Sequence, residues 1–240
     1  MKLSVIIPVY NEIGSVGEVL GMLLSKKIEG VEIEILVVES NSTDGSREVV
    51  QSFGGKQNLS IILEEVPQGK GHAVRTGLVA ATGDVILIQD ADLEYSLDDY
   101  EKLLEPITNG RSDFVLGTRH TEGNWHMRKF KSANHLAFFM NLAHWSFTWL
   151  LNQSLKTKMS DPFTMFKVFR KSCIEGLEFE CNRFDFDWEL VIKLVRAGFK
   201  PLEIPISYQS RDFKEGKKVS MWKDPPMWMT AWFKYAILGK

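Results

Sequence analysis

The sequence predicts an α/β fold, a mostly parallel sheet with helices on both faces. Three observations carry that reading. Short apolar runs of strand type alternate with segments whose apolar residues recur at helical spacing. Each strand-like run ends in a polar loop. The alternation implies right-handed crossovers within one sheet, so the polar loops gather beyond the strands' carboxyl ends, where such sheets bind ligands. The 240 residues suffice for one sizeable core with an added lobe.

Leu3–Ile7 is the first buried strand and Pro8-Val9-Tyr10-Asn11-Glu12 the loop that leaves it. Residues 13–27 form a helix through Val16, Val19, Leu20, Leu23 and Leu24. Ile33–Val38 is the second strand, followed by the polar loop Glu39–Gly45 and a short helix over 43–53. Ser60–Leu63 is the third strand, 70–82 the third helix and Val85–Gln89 the fourth strand. Ser96 is placed to cap the next helix, with Asp98 and Asp99 in its positive first turn. Phe114–Gly117 is a further strand, leading to Thr118-Arg119-His120.

The second half differs. His120–Lys131 is a polar loop without periodicity. Residues 134–152 make a helix that is apolar almost all round, with one polar stripe at Asn141, His144, Thr148 and Asn152. Such a helix is buried or touches lipid. Phe184–Gly198 is another helix, closed by Gly198. Ile204–Tyr208 is a short strand whose Pro205 points to a sheet edge. The tail interleaves Lys214, Lys217, Lys218 and Lys223 with Trp222, Trp228, Trp232 and Phe233. That mixture suits a membrane surface, and equally an amphipathic helix packed on the domain.

A net charge of −2 excludes a broad electrostatic attraction to nucleic acid. Cys173 and Cys181 fit neither metal spacing nor a disulfide framework, in keeping with a reducing cytoplasm. The run Leu3–Pro8 is too short for a signal peptide, and no stretch of about 20 apolar residues marks a spanning helix. The five histidines, His72, His120, His126, His135 and His144, show no metal-ligand spacing.

The fourth strand ends in Asp90-Ala91-Asp92-Leu93-Glu94. Side chains at i and i+2 of an extended chain point the same way. Asp90 and Asp92, with Glu94 beyond, therefore converge on one point at the strand's rim. Hard carboxylate oxygens there suit Mg2+ or Mn2+ with positions left for diphosphate oxygens. A merely charged loop after a strand is the plainer alternative.

Pro8–Glu12, Val38–Ser46, Gly83-Asp84 and Asp90–Glu94, in that order, resemble family 2 glycosyltransferases. Gly117-Thr118-Arg119 and Glu203-Ile204-Pro205-Ile206 with Arg211 look like the dolichyl-phosphate mannose synthase branch. The resemblance spans about residues 1–220. It implies the GT-A fold, a Rossmann-like sheet plus a C-terminal amphipathic segment. Residues 1–119 then form a nucleotide-sugar half, 120–212 an acceptor half, and 213–240 a basic, Trp-rich tail. Pro8, Tyr10, Glu12 and Glu39 match the pocket for base and ribose, although the family more often has Asp at 39 and again at Ser40. Asp90, Ala91 and Asp92 match the diphosphate site, and Asp90, Asp92 and Glu94 the metal site. Glu94 stands where the branch usually has Gln. Arg119 and Arg211 match phosphate-contacting arginines, and Lys217 and Lys218 lie near a basic segment of similar task. Gly69–Arg75, with Lys70, resembles a segment whose glycines let backbone approach ligand at a positive helix start.

The implied reaction is metal-dependent inverting transfer of a sugar from a UDP- or GDP-linked donor. Polyprenyl phosphate at the cytosolic membrane face is the leading acceptor. Asp187, in Phe184–Leu190, takes the position of a catalytic base, which a hydroxyl acceptor such as a glycan requires and an anionic phosphate does not. Asp185, Asp187 and Glu189 are explained as well by a helix amino end enriched in acids. A sugar nucleotidyltransferase would instead show a Gly-rich loop after the first strand. A non-catalytic nucleotide-sugar binding module would need no acid cluster.

Overall fold

The computed structural model of the chain describes residues 1–120, 134–210 and 224–239. Seven strands form one sheet in the order β3-β2-β1-β4-β6-β5-β7. They are β1 (Lys2–Val9), β2 (Glu32–Glu39), β3 (Leu59–Leu63), β4 (Val85–Ile88), β5 (Phe114–Thr118), β6 (Lys167–Arg170) and β7 (Leu202–Pro205). All neighbours run parallel except β6, which is antiparallel to β4 and to β5. Strands β1 and β4 are buried on both faces, which is why they read as near-continuous apolar runs, broken in β1 only by Ser4 after its first residues.

The helices are α1 (Val16–Ser25), α2 (Ser46–Ser52), α3 (Lys70–Ala80), α4 (Tyr100–Thr108), α5 (Asn134–Leu155), α6 (Phe186–Arg196) and α7 (Asp224–Ala231). A 3-10 turn over Leu97–Asp99 precedes α4, and Ser96 caps it by accepting from the Asp98 N–H. Helix α2 begins at Ser46 rather than 43. Asp44 takes the Ser46 N–H and hydroxyl onto its carboxylate, and Gly45 turns the chain at φ 98°. Strand β7 closes at Pro205 on the sheet edge, three residues earlier than expected, and Tyr208 instead bridges Tyr95.

Strand β6 was not legible in the sequence. It has four residues and begins with a lysine whose side chain is wholly buried. One hydrophobic core runs from β1 through Trp188 of α6 to Tyr235 and Ala236 after α7. The tail from Asp224 onward therefore packs on the domain, and the Trp232 indole donates to the Ser154 hydroxyl at 2.9 Å.

The polar stripe of α5 faces inward. Asn141, His144 and Thr148 are buried, whereas Leu142 is 50% and Trp149 62% exposed. No helix among the described residues is long and apolar enough to cross a membrane.

Candidate active site

Two loops build the first wall of the site. After β1 and after β2 the chain turns through left-handed asparagines, Asn11 at φ 51° and Asn41 at φ 55°, a conformation Asn tolerates better than most residues. The loops are laced together. The Asn11 N–H donates to the Ser42 hydroxyl, Glu12 N–H to the Ser46 hydroxyl, and Thr43 N–H to the Asn11 side chain, at 2.7–2.9 Å. A cavity of about 580 Å³ opens above them, lined by Pro8, Tyr10, Glu12, Ser40, Lys70, Asp90, Ala91, Asp92, Glu94 and Phe184. Glu39 is not in that lining. Fully buried, its carboxylate accepts from the Asn41 and Ser42 N–H groups and pairs with Arg47 at 3.2 Å.

Lys70 enters from the start of α3, above Gly69 at φ 107°. A Cβ at Gly69 would meet the Asn182 carbonyl oxygen at 2.4 Å. Only glycine lets the chain pass there. The Lys70 ammonium pairs with Asp90 and lies over the Phe184 ring, 5.7 Å from its centre. Burial alone would lower the lysine's pKa, but Asp90, Asp187 and Asp92 raise it.

Asp92 is held in place by accepting the Glu94 N–H at 3.0 Å, and one Glu94 oxygen accepts from the Tyr208 hydroxyl at 2.9 Å. Asp90, Asp92 and Glu94 line one cavity, but their oxygens do not close into a tight trio. Among the described residues, the group of three whose ligand atoms lie within 4.8 Å is His120, His144 and Asp161. Two carboxylates opening on a diphosphate-sized cavity still fit Mg2+ or Mn2+, which commonly take one or two carboxylates and complete their shells with water and phosphate oxygens.

A second cavity adjoins the first and shares Lys70, Asp90, Glu94 and Phe184 with it. Its far wall is apolar and aromatic: Met140, Phe147, Phe163, Met165, Trp188 and Trp228. Phe163 stacks on Trp188 at 4.9 Å, and Trp188 lies parallel to Trp228 at 6.4 Å. The polar end holds Arg119 and Asp187. Arg119 grips Asp161 with both Nε and Nη2 at 2.7 Å, and its guanidinium lies over Tyr208. Burial would push the Asp161 carboxyl up, but the guanidinium outweighs it and holds the carboxyl well below its ordinary range. Glu203 of β7 accepts the Ser160 and Asp161 N–H groups and so fixes that loop.

The structure thus brings together Pro8, Tyr10, Glu12, Ser40, Lys70, Asp90, Ala91, Asp92, Glu94, Arg119 and Asp187 at one sheet edge, and leaves Glu39 beneath the loops as a brace. Arg211, Lys217 and Lys218 lie outside the described residues. Sequence spacing gave no sign of one proximity: His120 and His144 face each other, Nε2 to Nε2 at 3.2 Å, beside Asp161. Helix α5 and the loop after β5 are far apart in sequence, so spacing could not show it. The donor set has imidazoles that suit transition metals, but both Asp161 oxygens already serve Arg119. The group joins α5 to the arginine. Sequence reasoning also missed Lys167, Tyr95 and Tyr208, which no motif marks.

Fold and site together define the GT-A class of glycosyltransferases. The chain belongs to glycosyl transferase family 2, whose model matches residues 4–177. Over 223 residues it is 30% identical to the dolichol-phosphate mannosyltransferase of Pyrococcus furiosus, covering 90% of this chain and 59% of that protein. The chain therefore spans little more than half of that relative. Identity to the dolichyl-phosphate hexose transferase of Haloferax volcanii is 27%, over 87% of this chain and 83% of that one. Among solved structures, glucosyl-3-phosphoglycerate synthase from Mycobacterium tuberculosis with Mg2+ and UDP matches with a TM-score of 0.72 at 16% identity, over 98% of this chain and 79% of that one. S. aureus TarS with UDP-GlcNAc gives 0.60 at 17% identity, over 98% and 73%.

Proposed function

We propose that the protein transfers a sugar, with inversion, from a nucleotide diphosphate donor to a polyprenyl phosphate. One observation carries this: a polar, acid-lined cavity and an aromatic cavity meet at Lys70, Asp90, Glu94 and Phe184. A donor filling the first and a lipid filling the second would place their reacting ends at that shared wall, turning a bimolecular step into one of fixed geometry. The names of the archaeal relatives, both dolichol-phosphate or dolichyl-phosphate transferases, support the acceptor.

The roles of the chain's residues follow from their chemistry. Pro8, Tyr10 and Ser40 form the far wall of the donor cavity, where a base and ribose would lie. Lys70, beside Asp90, stands where the leaving diphosphate gains charge, and a fixed cation there stabilises it. A bound Mg2+ or Mn2+ held by Asp90 and Asp92 would neutralise the same charge. Arg119 lies at the polar end of the acceptor cavity with its Nε and Nη2 held by Asp161, which leaves the Nη1 edge of a fixed, always-charged guanidinium to meet a phosphate. A phosphate oxygen is already anionic, so the step needs no base. The exposed Leu142 and Trp149 of α5, outside the aromatic cavity, support docking on a membrane surface. The alternative, a hydroxyl acceptor with Asp187 as base, keeps support from Asp187's place in the lining.

Incubation with labelled UDP- and GDP-sugars, Mn2+ and polyprenyl phosphate tests the proposal. A labelled glycosyl lipid that disappears with EDTA is expected. Label appearing only on an alcohol or glycan would move the assignment to the alternative.

A further inference from the structure

Resting on that reading of the acceptor, we propose that Lys167 is a positioning residue. It cancels and pins the Asp187 carboxylate so that a phosphate monoester can reach the floor of the aromatic cavity.

The argument begins with topology. Strand β6 is inserted antiparallel between β4 and β5. Its amino end therefore lies at the sheet edge where β4 and β5 have their carboxyl ends. Lys167, the first residue of β6 and the partner of Leu116 in register, is carried to the same edge as Asp90 and Arg119. Its side chain is 0% exposed and does not line the cavity. The ammonium donates to the Thr164 carbonyl and to Asp187 Oδ1, the latter at 2.8 Å. Asp187 does line the cavity.

A lysine is rarely placed in a strand at full burial unless it is paired. Here its partner is the one carboxylate aimed at the aromatic cavity from α6. The edge holds three matched pairs: Lys70 with Asp90, Lys167 with Asp187, and Arg119 with Asp161. Without Lys167, Asp187 loses its direct partner and keeps only the charge of Lys70, which Asp90 already pairs, so a net negative charge faces the wall that a phosphate must approach, and like charges brought together there repel. The same contact fixes one carboxylate oxygen and so holds the side chain at the wall.

Kinetics on Lys167→Met, Lys167→Arg and the double variant Lys167→Met/Asp187→Asn test this, with farnesyl phosphate as acceptor and labelled GDP-mannose or UDP-glucose, whichever the wild type uses, as donor. Lys167→Met should raise the acceptor KM about tenfold or more, the scale of an introduced like-charge contact, with the donor KM unchanged. Lys167→Arg, which keeps the charge, should recover part of that loss. Removing the carboxylate as well should bring the acceptor KM at least threefold back toward wild type, because neither charge is then left alone. A folded Lys167→Met with an unchanged acceptor KM overturns the proposal, as does a donor KM rising in step. If Lys167→Met does not fold, the double variant decides: transfer with an acceptor KM near wild type supports the proposal, and a folded but inactive double variant overturns it. Absence of glycosyl lipid from the wild type would instead remove the reading on which this rests.

Discussion

At the scale of single residues, the proposed chemistry rests on the acidic rim of β4. Asp90 and Asp92 face the donor cavity and Asp92 is locked by the Glu94 N–H. Asp90→Asn or Asp92→Asn should reduce turnover at least about 10²-fold, the scale of losing one preorganised electrostatic contact. The same variants should abolish the stabilisation of the protein by nucleotide with Mn2+ in a thermal-shift assay. Arg119→Met leaves Asp161 buried and unpaired, and breaking such a pair costs about 3–5 kcal/mol; chemical denaturation measures it. Glu34 offers a test remote from the site. Burial would raise its carboxyl, but hydrogen bonds from Ser4 and Thr82 and from Lys2 overcome that and bring it to about 2. Its folded pKa lies below its ordinary one, so its contribution is complete above pH 4.5 and is lost as pH falls through about 2. The melting temperatures of wild type and Glu34→Gln should therefore converge over that interval.

At the scale of elements, the first four strands and their helices were legible because β1, β2 and β4 are largely buried on both faces, β3 keeps a short apolar run, and the helices keep their spacing. β6 was not, because four residues beginning with lysine and ending with arginine carry no strand pattern. Only the pairing with β4 and β5 and the counter-charge on Asp187 make that lysine tolerable. The stripe on α5 was legible as a stripe but not in its direction. Its polar residues turn inward to His120 and to the Ser160–Asp161 loop, beside the buried Met140 and Leu151, and Leu142 and Trp149 turn outward. Leu142→Ser with Trp149→Ser should weaken binding to anionic lipid vesicles several-fold in a sedimentation assay and leave nucleotide binding intact. Helices α3 and α6 approach at Gly71, where a Cβ would meet Phe186 Cβ at 2.6 Å and the Cys181 carbonyl oxygen at 2.7 Å. Gly71→Ala should cost about 1–3 kcal/mol of stability, as overpacking does, measured by urea denaturation.

At the scale of the whole molecule, one sheet serves two cavities. Strands β1 to β4 supply the acid-lined cavity, the proposed donor side. The antiparallel insertion of β6 and the return of β5 and β7 supply Arg119, Lys167 and the Glu203 brace on the aromatic side, the proposed acceptor side. Order of motifs made the acid-lined cavity legible, since its residues lie at the carboxyl ends of successive strands. The acceptor half depends on contacts between distant segments, such as Arg119 with Asp161 and Phe163 with Trp188, which no local pattern encodes. Glu39 shows the converse: its motif position pointed to the pocket, but the left-handed Asn41 turn folds the loop's N–H groups back onto its carboxylate.

The most direct measurement is transfer of labelled sugar to polyprenyl phosphate in vesicles with Mn2+, comparing wild type with Asp90→Asn. A labelled lipid made by wild type and reduced at least about 10²-fold in the variant is the predicted result. Nucleotide binding by the wild type without any labelled lipid, or equal lipid from both proteins, would contradict it.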